Sequence, residues 1–149
     1  MRYVIILILI ILDQLSKYLA VINLKDKESI EVIPDILRFN YVENTGAAFG
    51  IMRNSQWIFI TVTLVFIVVA SIYYEKKVKI QRNKIYNIIY ILIIAGAIGN
   101  LIDRILNIYV VDFIDFYTIN YPVFNVADSF VCIGCVLLGW QILVLDRGK

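Results

Sequence analysis

The chain contains no histidine and only two cysteines among its 149 residues. Ser-His and Cys-His nucleophile systems and histidine-ligated zinc hydrolases are therefore excluded, because each needs an imidazole as general base or metal ligand. Cys132 and Cys135 both lie inside an apolar run, so disulfides cannot staple exposed loops. The formal net charge of +2 is spread along the chain and indicates no nucleic-acid partner.

Hydrophobic residues make up 61% of the chain, more than a soluble domain of this length can bury. A helix needs about 20 mainly apolar residues to cross the hydrocarbon of a bilayer. We therefore predict an integral membrane protein, mainly α, built as a bundle of four transmembrane helices in a single domain over residues 1–149. The four predicted spans are Tyr3–Asn23, Trp57–Tyr74, Ile85–Ile105 and Phe124–Leu145.

Basic residues predict how these spans are oriented. Five of them fall between the second and third spans: Lys76, Lys77, Lys79, Arg82 and Lys84. Arg2, Arg147 and Lys149 lie on the same side of the membrane. By the positive-inside rule this side is cytoplasmic, so both termini are expected inside and residues 24–56 and 106–123 outside.

The first external segment has the period of β-strands. Apolar and polar side chains alternate over residues 30–32 and 37–41, and turn signals lie at Pro34-Asp35 and Asn44-Thr45-Gly46. This pattern predicts a small external β-sheet between the first and second helices.

Polar residues inside the spans need a reason, because an ionisable side chain at mid-membrane costs about 2.5–3.5 kcal/mol. Asp13 and Lys17 are four residues apart on the first helix, the spacing of an ion pair that keeps the helix insertable. On the third helix Asn100, Asp103 and Arg104 share one face and predict a buried polar cluster. Gly96 and Gly99 on that helix permit close helix approach.

Two carboxylates from different segments are predicted at similar depth near the outer surface. Asp112 follows the third helix among apolar neighbours, and Asp128 lies in the first turn of the fourth. Asn125 shares a helical face with Asp128 and can bind it, although either residue could instead cap the helix. Asp115 is a weaker candidate, expected as a rim carboxylate facing water.

Two such carboxyl groups supply what peptide hydrolysis needs without histidine or metal. Because two like charges a few ångströms apart do not both ionise easily, one carboxyl keeps its proton and the other remains a base. The base deprotonates the attacking water, and the acid polarises the scissile carbonyl.

Five segments in order resemble the lipoprotein signal peptidases (signal peptidase type II). They are Asp13-Gln-Leu-Ser-Lys17, Asn44-Thr-Gly-Ala-Ala-Phe-Gly50, Gly99-Asn-Leu-Ile-Asp-Arg104, Val111-Asp-Phe113 and Phe124-Asn-Val-Ala-Asp-Ser129. Each motif is weak alone, but the ordered set covers nearly the whole chain and is specific.

The resemblance implies an aspartyl endopeptidase of the bacterial cytoplasmic membrane with Asp112 and Asp128 as its dyad. It implies no metal or other cofactor. The implied substrates are prolipoproteins, cut just before a cysteine that carries diacylglycerol, with membrane lipid as the surroundings. We also expect the protein to be monomeric. The residues implied to shape or support the site are Asn44, Gly46, Asn100, Asp103, Arg104, Asn125, Asp13 and Lys17.

Two other functions remain compatible with the residues. Cys132-Ile-Gly-Cys135 has the spacing of a thiol oxidoreductase, although such enzymes need a second cysteine pair and a plain helix–helix contact explains these two as well. Alternatively, the external aspartates could serve a cation carrier as oxygen ligands, but Arg104 adds positive charge to the same cluster.

Overall fold

The computed structural model describes residues 1–46, 56–78 and 84–145. Within them the helices are α1 (Arg2–Leu24), α2 (Gln56–Tyr73), α3 (Lys84–Asn107) and α4 (Val126–Trp140). Helices α2 and α4 continue as π-helical turns over Tyr74–Val78 and Gln141–Leu145. Predicted features outside the described residues are Ala47–Gly50 of the second motif, Lys79, Arg82, Arg147 and Lys149.

The four predicted helices are confirmed. Among the described residues four helical segments are long and apolar enough to cross a bilayer: Arg2–Leu24, Gln56–Lys76, Lys84–Asn107 and Val126–Val144. Their ends differ from the predicted ones by one or two residues, which is the scatter expected where helices fray. The fourth helix begins at Val126 rather than Phe124, because Asn125 caps it.

Helix α3 is the centre of the bundle and packs against each of the other three helices. Small residues on α3 allow α1 and α4 to approach it closely, as the sequence predicts. A Cβ atom added to Gly99 would lie 2.6 Å from Oδ2 of Asp13 and 3.2 Å from Cβ of Ala127. The outward faces remain apolar, as on Val62 and Val69, which is the surface that lipid requires.

The predicted sheet is present and has an additional strand. Strands β1 (Ile30–Ile33) and β2 (Leu37–Asn44) form the expected antiparallel pair, and β3 (Val110–Asp115) pairs antiparallel with β2, giving the order β1-β2-β3. The sequence pattern did not predict β3, since Val110, Val111, Asp112 and Phe113 are all buried and no polar–apolar alternation appears.

Strand β3 also fixes the start of α4. The Phe124 N–H donates to the Ile114 carbonyl at 3.1 Å, and the Phe113 N–H donates to the Phe124 carbonyl at 3.0 Å. On the other side, Val111 and Phe113 pack with Ala20 and Leu24 of α1. The strand that carries Asp112 is thereby bonded directly to the residue before the cap of α4.

Candidate active site

Asn125 combines helix capping with a position between the two predicted aspartates. Its side-chain oxygen accepts the Asp128 N–H at 2.9 Å, and Oδ2 of Asp128 accepts the Asn125 N–H at 3.2 Å, so the two residues form a capping box. The Asn125 Nδ2 donates to Oδ1 of Asp112 at 2.6 Å. Capping and site formation therefore use the same two side chains and are not alternatives.

Amide groups bind both oxygens of Asp112. Besides Asn125, the Nδ2 of Asn44 donates to Oδ2 of Asp112 at 2.8 Å. The orientation of the Asn44 amide is set by the Gly46 N–H, which donates to its Oδ1 at 3.0 Å. Asp112 is only 1% exposed, so these amides are its immediate surroundings.

Asp128 is held in the same manner but is less buried. Nδ2 of Asn100 donates to Oδ1 of Asp128 at 2.7 Å, while the backbone of Asn125 binds the other oxygen. Asn125 and Asn100 also lie within hydrogen-bond distance of each other, at 3.1 Å. One network of amides thus connects Asp112 to Asp128.

Asp112 lies outside the spanning helices, and its environment favours the protonated form. Burial, and then the neighbouring charge of Asp128, raise the pKa of Asp112 to about 7. Hydrogen bonds from Asn44 and Asn125 stabilise the carboxylate and oppose this rise without cancelling it. A carboxyl group with such a pKa can exchange a proton near neutral pH.

A second network lies directly beneath the first and is centred on Lys17. The Lys17 ammonium reaches Asp13 at 2.9 Å, Asp103 at 3.1 Å and Oδ1 of Asn100 at 2.9 Å. All three of its N–H donors are therefore used. The Asp13–Lys17 pair is present as predicted, and Lys17 also donates to Asn100, the residue that binds Asp128.

The two acids of this second network also hold backbone groups near the aspartates. Oδ1 of Asp13 accepts the Ala127 N–H at 2.9 Å, and Oδ2 of Asp103 accepts the Val111 N–H at 3.1 Å. Those two peptide groups are direct chain neighbours of Asp128 and Asp112. Asp13 and Asp103 therefore position α4 and β3 relative to α1 and α3.

Gln14 belongs to this network and was not among the predicted site residues. Its Nε2 lies 3.0 Å from Oδ1 of Asp103 and 3.1 Å from the carbonyl of Gly99. A polar side chain between Asp13 and Lys17 in a predicted span was the signal that could have identified it.

Arg104 separates from the polar cluster predicted for α3. Asp103 points to α1, whereas the Arg104 guanidinium lies 5.2 Å from the Phe59 ring of α2 and donates weakly to the Asn100 carbonyl at 3.4 Å. The cluster is therefore split, since neighbouring residues on a helix face different partners. Arg104 lines a cavity of about 770 Å³ together with Asn100 and Asp128.

Two further expectations were wrong. Asp115 is not a rim carboxylate facing water: it is 5% exposed and pairs with Arg38 at 2.7 Å, because antiparallel register brings these residues opposite each other. Cys132 and Cys135 are not at a helix–helix contact. Both are exposed on α4, because Gly134 takes the position that faces α3.

Comparison with known proteins adds independent findings. The family model described as Signal peptidase (SPase) II matches residues 5–144. A lipoprotein signal peptidase of Halothermothrix orenii is 46% identical over 138 residues, covering 93% of this chain and 92% of that protein.

Two solved structures have the same fold as this chain. Two bacterial membrane enzyme structures obtained by the in meso method, at 2.3 and 1.9 Å resolution, superpose with TM-scores of 0.88 and 0.85. The first is 34% identical and covers 99% of this chain and 91% of its own; the second is 35% identical and covers 96% and 92%.

Proposed function

Because this chain belongs to the signal peptidase II family, we propose that Asp112 and Asp128 form the catalytic dyad of a membrane aspartyl endopeptidase. The observation that carries this proposal is the amide network that holds both oxygens of each carboxyl group. Such a network preorganises two acids for proton transfer, and Asp128 borders the cavity from which a substrate can reach them.

In the proposed reaction one carboxylate takes a proton from water, and the hydroxide oxygen bonds to the scissile carbonyl carbon. The other carboxyl group gives its proton to the carbonyl oxygen, so a neutral diol forms. The C–N bond then breaks as the leaving nitrogen receives a proton from the first carboxyl group and the second recovers its own from the diol. We assign the initial proton to Asp112, since this residue is 1% exposed whereas Asp128 is only partly buried, and burial penalises the charged form.

The substrates that fit this proposal are prolipoproteins, cleaved before a cysteine that carries diacylglycerol. Support comes from the relative, which is a lipoprotein signal peptidase. We also propose a monomeric, single-domain enzyme, with both termini cytoplasmic and its site near the outer surface. The basic residues near Lys76 and Lys84 and the shared depth of Asp112 and Asp128 support that orientation.

The remaining predicted site residues are assigned positioning roles by their contacts. Asn44, Gly46, Asn100 and Asn125 orient the dyad. Asp13 and Asp103 act through the backbone of α4 and β3, and Lys17 pairs with both of these acids. Arg104 lines the larger cavity.

The test is cleavage of a synthetic diacylglyceryl peptide by the purified full chain in detergent. Asp112→Asn and Asp128→Asn should each reduce turnover by about 10⁴-fold or more, and the double variant should lose little beyond either single one, because residues acting as a unit are non-additive. Asp26→Asn is the control, since Asp26 is an exposed carboxylate at positive φ, which Asn tolerates.

Thermal unfolding of each variant separates loss of chemistry from loss of fold. Substantial turnover by either folded single variant would remove the dyad. Inhibition by EDTA would instead assign the carboxylates to a metal ion. Unaltered activity in EDTA, with loss in both aspartate variants, is the expected result.

A further inference from the structure

Two cavities meet at Asp128. The larger, of about 770 Å³, lies between α2, α3 and α4. The smaller, of about 510 Å³, lies on another face of α4, below the segment that joins β3 to α4. Both are lined by Asp128, and among the residues that the structure describes no other lines both.

The two cavities use different faces of one helix. Along α4 the larger is lined by Val131, Cys135 and Leu138, and the smaller by Ser129, Cys132 and Ile133. With 3.6 residues per turn, these faces are about 150° apart around the helix axis, and Asp128 lies between them. A substrate whose reacting bond is at Asp128 can therefore place one substituent in each cavity.

The cavities also differ in length along the membrane. The larger extends from Asp128 to Ile142, about 20 Å along the helix, whereas the smaller extends to Ile133, about 8 Å. An apolar signal-peptide segment of about 7–15 residues spans about 10–22 Å as a helix. Of these two cavities, the larger is the one long enough for most of that range.

The smaller cavity has the character of a lipid site at the membrane interface. Its wall is aromatic: Phe124 stacks on Phe116 with ring centroids 6.0 Å apart and meets Tyr121 edge-on at 5.7 Å. Of these rings, the tyrosine is the type that favours the level of the lipid headgroups. Farther from Asp128, Cys132 and Ile133 are exposed on the lateral surface, so chains entering beside the aromatic wall can continue into the bilayer.

We propose that this smaller cavity receives the two acyl chains of the diacylglyceryl group on the substrate cysteine. The inference rests on the proposed function and deepens it. The lipid on the cysteine next to the scissile bond lies along the Cys132–Ile133 face of α4, while the signal peptide lies in the larger cavity on the opposite face. Because lipid tails are as apolar as the cavity, transfer from the bilayer brings no hydrophobic gain. The site therefore acts by orienting the bond at Asp128.

The first experiment locates the acyl chain. A diacylglyceryl-cysteine peptide with a diazirine on one acyl chain is photolysed with the full chain in mixed phospholipid micelles, and the labelled residues are mapped by mass spectrometry. Label is expected on Cys132 and Ile133 and not on Cys135, which provides the matched control on the other face. Unlabelled lipopeptide should displace the label, and phosphatidylglycerol should not.

The second experiment blocks the cavity. Ile133→Trp should lower kcat/KM about tenfold for a peptide bearing two palmitoyl chains, mainly through kcat, and change it little for one bearing acetyl chains. Val65→Trp, an exposed aliphatic position on α2 that lines neither cavity, is the control and should leave both rates unchanged.

Other outcomes overturn the inference. Label at Cys135, displacement by phosphatidylglycerol as readily as by lipopeptide, or equal losses for both substrates in Ile133→Trp would each remove the acyl site while the peptidase remains. Failure of the unaltered enzyme to cleave either peptide would overturn the proposed function and this inference with it.

Discussion

At the scale of single residues, the hydrogen bond from Asn44 opposes the protonation of Asp112. The pKa of Asp112 is raised to about 7 mainly by burial, and the Asn44 hydrogen bond works in the opposite direction. Because the folded chain binds this proton more tightly than the unfolded chain, the contribution to stability is full below about pH 4 and is lost as pH rises through about 7.

Replacing Asn44 by Ala should move the alkaline limb of the pH–rate profile upward. The variant removes a donor that favours the carboxylate, so the pKa of Asp112 rises further and the shared proton persists to higher pH, by about one pH unit. Profiles of kcat/KM for the two enzymes on a lipidated peptide measure the shift. A limb that stays in place or moves to lower pH would contradict the assignment of the proton to Asp112.

Lys17 should be essential to the fold. Lys17→Met leaves the carboxylates of Asp13 and Asp103, with side chains 0% and 4% exposed, without their cation. Breaking a buried pair in this way costs about 3–5 kcal/mol. We expect a much lower unfolding temperature in detergent and lost activity.

The matched control for that change is Lys25→Met. Lys25 pairs with Glu43 at 2.9 Å, but the two side chains are 41% and 39% exposed. Solvent screens such a pair, so stability should barely change. Equal unfolding temperatures for Lys17→Met and Lys25→Met would show that the buried network does not stabilise the bundle.

At the scale of elements, the contact between α3 and α4 depends on a missing side chain at Gly96. A Cβ atom there would collide with the carbonyl oxygen of Ala127 and lie 2.7 Å from a methyl group of Val131. The carbonyl belongs to the first turn of α4, next to Asp128. Any shift that relieves this collision moves the start of α4 away from Asn100.

Gly96→Ala should therefore destabilise the protein by about 1–3 kcal/mol and also lower kcat. Gly139→Ala is the control on α4, where an added Cβ meets nothing within 4 Å and helix propensity favours alanine. Thermal unfolding and steady-state kinetics of both variants provide the measurement. A Gly96→Ala enzyme as stable and active as Gly139→Ala would contradict the close packing.

At the scale of the whole molecule, the orientation in the membrane can be tested with two positions. Lys27 follows α1 on the sheet side, and Lys76 follows α2 at the opposite end of the bundle; both are exposed. In a Cys132→Ala/Cys135→Ala background, Lys27→Cys should react with a membrane-impermeant maleimide added to spheroplasts, and Lys76→Cys only after permeabilisation. Reaction of Lys76→Cys from outside would reverse the proposed topology.

The Cys132→Ala/Cys135→Ala variant should itself keep most of its activity. Cys132 and Cys135 are exposed on α4, where each lines one of the two cavities, and alanine keeps those walls small and apolar. Loss of activity in the folded double variant would revive a thiol mechanism.

The sequence alone determined the membrane spans, the β1–β2 pair and the family. Each depends on local pattern: hydrocarbon requires about 20 apolar residues per helix, and strands alternate with a period of two. The cost of charge in lipid also made Asp13, Lys17 and Asp103 visible as residues that needed partners.

Only the tertiary structure decided which partners Asp13, Lys17 and Asp103 have. Gln14 meets Asp103 across 89 positions of sequence, and Asp13 holds the Ala127 N–H across 114, distances over which no periodicity operates. Strand β3 and the Arg38–Asp115 pair escaped prediction for a similar reason, because burial on both sides removed the alternation that marks a strand. A local sequence pattern shows whether each face of a helix or strand is exposed to water, exposed to lipid or buried. The geometry around Asp112 and Asp128 depends instead on how separate elements pack.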